Sequence, residues 1–386
     1  MKSASITFFV LACVGQFLLA QKAPDTKTPP AAAPQKTDAE KIDFDKARSY
    51  LQKEGRGEKL TADEAAYLER AKAARRAGQQ APARPNLPVG GKDKMGFKPL
   101  TEMSADDRYQ GEDGGLYGGG KNTPPDEHRQ AAEAALALVQ PRNRAGEPAK
   151  DGRIAFISIS MSNATQEFSK FKELADADPA KSDLVTIVDC AQGGQAMAEW
   201  VDPKARPWTE AERRLAAADI TNKQVQVAWI KLANKSPRGT LAEHGRKLEQ
   251  DTLAVIHNAK SKFPNLRVVY LSSRIYGGYS AGSLNPEPYA YEGAFPARWL
   301  IQRQIKGDKE LAYSGEKPVA PVLLWGPYLW ADGITPRATD MLVYERTDLG
   351  PDGVHPSQAG REKVAKLILE FCKTDPLTKG WFVKGK

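Results

Sequence analysis

The sequence predicts an α/β fold of three layers, in which helices cover both faces of a central, mostly parallel sheet of five strands. Two observations support this prediction. Beyond residue 152, short apolar runs alternate with stretches of helical periodicity, the order expected when each connection crosses one face of a parallel sheet. Most of the runs are continuously apolar, which is typical of strands that are buried on both faces.

Five apolar runs account for the strands: RIAFISI (153–159), LVTIVD (184–189), VQVAWI (225–230), LRVVYLSS (266–273) and PVLLW (321–325). Helical stretches separate them, and the stretch SQAGREKVAKLILEFC (357–372) follows the last one. In that stretch four apolar residues recur at helical spacing and predict one buried face: Val364, Leu367, Ile368 and Phe371. The domain built from these elements is predicted to span 126–386.

The first 125 residues predict no part of the sheet. Residues 1–20 have a short basic start, an apolar run and a small final residue, the form of a signal peptide that directs secretion or periplasmic export. A lipoprotein anchor at Cys13 is a weaker alternative, because the apolar run continues beyond it. Residues 21–40, rich in Pro and Ala, predict a disordered linker. Residues 41–125 predict a small helical and irregular region, where Thr61 and Glu64 are spaced as a capping box.

Composition excludes several classes of function. The 386 residues carry a net charge of +8, but without a basic run, so nucleic acid is not an expected partner. Apart from the signal-like start, no stretch is long and apolar enough for a membrane span. Histidines and cysteines lack the spacing of metal ligands, so neither a metal nor another cofactor is expected. Cys190 and Cys372 could pair in an exported protein or remain buried thiols.

Chemistry in such a sheet is expected just beyond the carboxyl ends of the strands. The first strand leads to Ser160 and Ser162 and then to a helix whose free amides point at the same edge. A serine there is either a nucleophile or the cap of that helix. The second strand leads to Gly193 and Gly194, which suit either an amide exposed to a ligand or an ordinary tight turn.

Two further segments follow later strands. Lys231 and Asn234 stand at the end of the third strand, as hydrogen-bond donors to a ligand or as solvated loop residues. Asp352 and His355 precede the closing helix, and their spacing lets the carboxylate hold one ring nitrogen while the other serves as a base. The other three histidines of the chain are less well placed.

The segment DGVHPSQAGREKVA resembles the last conserved block of the SGNH/GDSL-type serine hydrolases, an Asp-x-x-His pattern before a closing helix. The likeness covers about residues 152–374 and implies a flavodoxin-like sheet of the SGNH hydrolase type. By register with that family, Ser162 is the nucleophile, His355 the base and Asp352 its partner. The chain departs from the family at Met161, which stands where an aspartate is usual.

The same resemblance implies an oxyanion hole made of the amides of Ser162 and Gly194 and the side chain of Asn234. The family's Gly-x-Asn-Asp block is absent, so the third donor is either Asn234 or Lys231. The activity implied is that of a secreted serine esterase that works through an acyl-enzyme. The alternative is a catalytically weak or inactive protein on the same fold that binds carbohydrate or acts as a scaffold.

Aromatic residues suggest a substrate class. A long insert rich in Tyr, Gly and Pro follows the fourth strand, and the segment that begins at the end of the fifth strand contains Trp325, Tyr328 and Trp330. These rings either form a wall for a carbohydrate, which favours a small-molecule or carbohydrate ester as substrate, or pack in the core.

Overall fold

The computed structural model describes residues 42–80 and 91–385, with no account of the side chains of 78–80. Residues from Ile42 onward form one compact unit. The predicted signal peptide, the linker and the alternative anchor at Cys13 lie outside the described residues.

The central sheet has five strands: β1 (Ile154–Ile159), β2 (Val185–Asp189), β3 (Val225–Lys231), β4 (Val268–Ser272) and β5 (Val322–Trp325). Their order is β2-β1-β3-β4-β5, and every neighbouring pair runs parallel. This is the doubly wound, flavodoxin-like order. The predicted fold class is therefore confirmed, and each strand lies within one or two residues of the apolar run that predicted it.

The described residues form eleven α-helices: α1 (Phe44–Gly55), α2 (Ala62–Gln80), α3 (Asp126–Leu136), α4 (Ser162–Asp176), α5 (Met197–Trp200), α6 (Arg206–Ala217), α7 (Arg246–Lys262), α8 (Tyr289–Glu292), α9 (Ala294–Ile305), α10 (Gln358–Thr374) and α11 (Lys379–Phe382). α4 packs against α10, whereas α7 packs against α5 and α9. Right-handed crossovers explain the two groups, because the chain moves from β1 to β2 in one direction and onward to β3 in the other.

That reversal of direction positions the site. β1 and β3 are neighbours whose following connections leave in opposite directions, so a crevice opens between them at their carboxyl ends. Backbone hydrogen bonds just beyond the strands keep the ends of neighbouring strands aligned. Gln192 donates its amide to Ser160 O at 3.0 Å, and Leu232 donates its amide to Ser272 O at 2.8 Å. Residues that follow β1, β2, β3 and β4 therefore meet at one edge.

The N-terminal region is built onto this core. The capping box at the start of α2 forms as expected, since Glu64 accepts from the amide of Thr61 at 2.8 Å and donates its own amide to the Thr61 hydroxyl at 3.2 Å. Further along, Leu100, Met103 and Leu116 are buried in the main hydrophobic core. The boundary drawn between residues 125 and 126 stays a prediction.

Two sequence-level questions bear on the fold. Cys190 and Cys372 are both buried and both free, so the structure contains them as thiols. Within the described ranges, no helix has the length and apolar character needed to cross a bilayer.

Candidate functional site at the carboxyl edge of the sheet

The turn after β1 distinguishes its two serines. Ser160 is 0% exposed, and its hydroxyl donates to the carbonyl of Lys231 in the neighbouring strand. Ser162 is partly exposed and opens α4, with Met161 as the capping residue. Met161 makes no side-chain cap bond, and the Ser162 hydroxyl bonds to His355 and not to an amide of its own helix.

Ser162 Oγ lies 2.8 Å from His355 Nε2. The other ring nitrogen, Nδ1, lies 2.6 Å from Asp352 Oδ2. The three side chains thus form one hydrogen-bonded chain across two segments that are 193 residues apart in sequence. Nδ1 donating to the carboxylate leaves Nε2 as an acceptor for the serine proton, which is the tautomer that a general base needs.

The loop that carries His355 is fixed from several directions. Asp352 Oδ1 accepts the amides of Val354 and His355, each at 3.0 Å. The side chain of Asn163 donates to Val354 O at 2.7 Å, which ties this loop to the turn of Ser162. These bonds set the orientation of the imidazole before any ligand arrives.

The charge on Asp352 is favoured by its surroundings. Burial on its own raises the pKa of this carboxyl, but hydrogen bonds from the His355 ring and from the amides of Val354 and His355 outweigh it, and the pKa lies below its ordinary value. An ionised Asp352 stabilises a positive imidazole on His355.

Backbone amides converge on the same edge. The first helical bond of α4 runs from Thr165 N to Met161 O, so the amides of residues 162–164 have no partner within the helix. After β2, Gly194 is exposed and has a φ of +74°, a conformation that glycine adopts without strain. Its loop adjoins the Ser162 turn through the bond from Gln192 N to Ser160 O.

The two candidates for a third oxyanion donor are engaged elsewhere. Asn234 Oδ1 accepts the amide of Ala198 at 3.0 Å, and Nδ2 donates to Asp251 at 2.7 Å. Lys231 is 0% exposed and its ammonium binds both carboxylate oxygens of Glu167, which is also 0% exposed. None of these bonds connects Asn234 or Lys231 to the hydrogen-bonded chain of Ser162, His355 and Asp352. One N–H of the Asn234 side-chain amide is not used by these bonds.

The aromatic residues at the end of β5 and directly after it are core residues. Trp325, Tyr328 and Trp330 are buried. Trp330 donates its indole N–H to Glu287 at 2.7 Å, and the hydroxyl of Tyr328 accepts the amide of Leu100 at 3.2 Å. The predicted carbohydrate wall is therefore not formed by these rings, and the packing alternative describes them.

The remaining histidines are committed elsewhere. His128 is buried with Nε2 at 2.8 Å from Leu323 O, His244 pairs with Glu292, and His257 bonds to Glu310 O at 2.6 Å. Of the four, His355 alone bonds to a serine hydroxyl among the described residues.

Sequence reasoning missed three features. Asn163, next to Ser162, connects the two halves of the site, and only its position signals this. The buried pair of Glu167 and Lys231 joins residues 64 apart, and a lysine closing an apolar strand was its one signal. Arg274 is buried two residues beyond β4, where a charged residue directly after an apolar strand was the available sign.

No protein-family model matches the chain, and no curated protein does. Solved structures similar to it include a Bacillus subtilis protein from a structural genomics programme, at 11% identity and a TM-score of 0.33, over 59% of this chain and 57% of that one. A candidate acylhydrolase from Bacteroides fragilis has 12% identity and a TM-score of 0.32, over 64% and 96%. The periplasmic domain of a lipopolysaccharide acetyltransferase from Salmonella ser. Paratyphi A has 12% identity and a TM-score of 0.31, over 64% and 96%.

The chain thus spans little more than half of the Bacillus subtilis protein. Identities this low bear on the fold alone, and the TM-scores are too low to support an argument about function.

Proposed function

We propose that the chain is a serine hydrolase of carboxylic esters, with Ser162 as nucleophile, His355 as general base and Asp352 as its partner. One observation carries the proposal: the continuous hydrogen bonds from Ser162 Oγ through His355 to Asp352, at 2.8 and 2.6 Å. A serine hydroxyl is a weak nucleophile unless a base takes its proton, and this arrangement supplies the base in the required tautomer.

The first half-reaction forms the acyl-enzyme. Ser162 Oγ attacks the ester carbon as its proton moves to His355 Nε2, and Asp352 stabilises the imidazolium that results. The tetrahedral oxyanion is held by the open amides at the start of α4 and by the amide of Gly194. When the carbon–oxygen bond to the alcohol breaks, His355 returns the proton to that alcohol.

The second half-reaction releases the acid. A water molecule gives a proton to His355 Nε2 and attacks the acyl carbon, and the same amides hold the second oxyanion. Collapse of this intermediate breaks the bond to Ser162 Oγ, which takes back its proton from His355. At the end of the cycle Ser162, His355 and Asp352 have returned to their starting protonation states.

The openness of the site guides the choice of substrate. The side chains of His355 and Asp352 are 31% and 48% exposed, so a short acyl group on a large alcohol can approach the serine. An acetylated carbohydrate is the substrate that we propose within this class. Export is proposed on the first 20 residues alone, which have the form of a signal peptide.

One observation favours the alternative of a weak or inactive binding protein. Both polar atoms of the Asn234 amide already bond to the protein, which leaves only one of its N–H groups, held in a fixed orientation, as a third oxyanion donor. Loss of one such donor costs on the order of 100- to 1000-fold in kcat. The alternative therefore predicts a folded protein with little or no turnover.

Hydrolysis of para-nitrophenyl acetate separates the two. We expect the wild type to hydrolyse this ester and Ser162→Ala to lose the activity while its circular dichroism spectrum is unchanged. Ser160→Ala is the matched control, because that serine is buried and its hydroxyl bonds only to Met161 and Lys231, so the activity of this variant should persist. A wild type without turnover would favour the binding protein, and an active Ser162→Ala would exclude Ser162 as nucleophile.

A further inference from the structure

Arg274 is a buried cation to which no described residue offers a hydrogen-bond acceptor. It lies two residues beyond β4 at the carboxyl edge of the sheet and is 4% exposed. Among residues 42–80 and 91–385 no group accepts a hydrogen bond from its guanidinium, and its Nε is fully enclosed. A guanidinium carries five N–H donors, and leaving a buried charge unpaired is costly, so such a group in a folded protein calls for an explanation.

The neighbouring carboxylates are already bound by other groups. Glu167, Glu287 and Asp352 attract the charge of Arg274, and burial lowers its pKa. Glu167 binds Lys231, and Asp352 binds His355 and two amides. Glu287 accepts from two backbone amides and the indole of Trp330. None of the three forms an ion pair with Arg274, so its N–H groups remain available.

A second buried cation, Lys231, lies close to Arg274. Lys231 and Arg274 share one buried carboxylate, Glu167, as their nearest common counter-charge. Burial lowers the pKa of Lys231 to about 8, and repulsion from Arg274 adds to this.

The strand register places Arg274 near the proposed nucleophile. Ser160 bonds to Lys231, and Lys231 lies opposite Ser272 in the β3–β4 pairing. Ser162 lies two residues beyond Ser160, and Arg274 lies two residues beyond Ser272, so both lie equally far along the chain from these aligned positions. β1 and β4 are separated by β3 alone, so their ends are about 10 Å apart, a gap that an arginine side chain covers in large part.

The chain after Arg274 lies against the loop of His355. The amide of Ala281 donates to Asp352 O at 3.4 Å, and a side chain at Gly353 would overlap the carbonyl oxygen of Tyr279. The segment that begins with Arg274 therefore forms one side of the crevice that contains Ser162 and His355.

We propose that Arg274 binds a carboxylate of the substrate, so that the ester cleaved at Ser162 belongs to an acidic molecule such as an acylated sugar acid. This inference rests on the proposed esterase function and narrows its substrate class. The planar fork of an arginine matches the two oxygens of a carboxylate, and burial strengthens the pair because water does not screen it.

The test compares esters that differ only in this charge. One pair is meta-acetoxybenzoate and meta-acetoxybenzamide, with the charge in the leaving group. The other is the para-nitrophenyl monoester of adipic acid and para-nitrophenyl hexanoate, with the charge in the acyl group. We expect the wild type to prefer the charged member of at least one pair in kcat/KM. In Arg274→Gln this preference should fall on the order of 10- to 100-fold, as for loss of a charge-assisted hydrogen bond.

Arg238→Gln is the matched control, because Arg238 is exposed on the loop after β3 and its removal changes the net charge equally. Its preference for the charged ester should equal that of the wild type. No preference in the wild type, or an equal loss on both members of a pair in Arg274→Gln, would overturn the inference. So would a lower melting temperature of Arg274→Gln with unchanged preference, since Arg274 would then be a structural counter-ion of Glu167.

Binding measured without turnover keeps this inference separate from the proposed function. By calorimetry, Ser162→Ala should bind meta-acetoxybenzoate more tightly than the benzamide, and the double variant Ser162→Ala, Arg274→Gln should lose that difference. If the wild type hydrolyses no ester but this difference is present, the esterase fails and the carboxylate site stands. If hydrolysis occurs and the difference is absent, the esterase stands and the carboxylate site fails.

Discussion

The turns after β1 and β3 follow neighbouring parallel strands, yet their polar side chains have different partners. Ser162 bonds to His355 and otherwise faces the crevice. Asn234 lies at the corresponding edge, but its amide connects Ala198 to Asp251. Position beyond a strand end is therefore not enough for a catalytic role. What matters is whether neighbouring elements leave the side chain free for a ligand, and only the β1 turn meets that condition fully.

The largest expected effect on catalysis comes from substitutions in the His355 loop. We expect His355→Ala and Asp352→Asn each to lower kcat on para-nitrophenyl acetate by on the order of 10⁴-fold, because the first removes the base and the second the partner that sets its tautomer. Steady-state kinetics measure both, with Ser160→Ala as the active control. A fall of less than about tenfold in His355→Ala would mean that the β1 turn has no general base in this loop.

A substitution at the end of β3 should lower stability and not catalysis. Lys231→Met leaves Glu167 buried without its cation, and we expect a loss of about 3–5 kcal/mol in the free energy of unfolding. Urea denaturation measures it. Adding Glu167→Gln should recover at least half of the loss, since the unpaired charge is then removed. A single Lys231→Met variant as stable as the wild type would show that the pair is not structural.

These two regions also differ in how far the sequence predicts them. Apolar runs predict the strands closely, because burial on both faces is a local property of the sequence. Register with a family pattern predicts Ser162, Asp352 and His355, and the structure brings their side chains together. The bonds of Asn234 and the Glu167–Lys231 pair join distant residues, and no local pattern encodes such partners. The burial of Trp330 likewise depends on contacts with residues that are distant in sequence, which no local pattern encodes.

A smaller effect sharpens the comparison at Asn234 itself. If its amide is structural, Asn234→Ala should cost about 1–2 kcal/mol in unfolding free energy through two lost hydrogen bonds, and change kcat by less than about threefold. Chemical denaturation and ester kinetics on the same preparation give both values. A fall in kcat of about 100-fold or more without loss of stability would make Asn234 an oxyanion donor after all.

The smallest effect concerns acid pH. The pKa of Asp352 lies below its ordinary value in the folded state, so its contribution to stability is present above the unfolded pKa and is lost as the pH falls through the folded pKa. We expect Asp352→Asn to lose less stability than the wild type between about pH 5 and pH 2, by under about 1 kcal/mol because the carboxylate is half exposed. Urea midpoints across this range measure the difference, and identical slopes would contradict it.

The most direct test of the central claim is the position of a covalent adduct. A fluorophosphonate reacts with a serine only when a neighbouring base activates it, so the labelled residue identifies the nucleophile independently of any substrate. We predict a single adduct on Ser162, found by mass spectrometry of the digested protein and absent in His355→Ala. An adduct on Ser160, or no adduct on the folded wild type, would contradict the account.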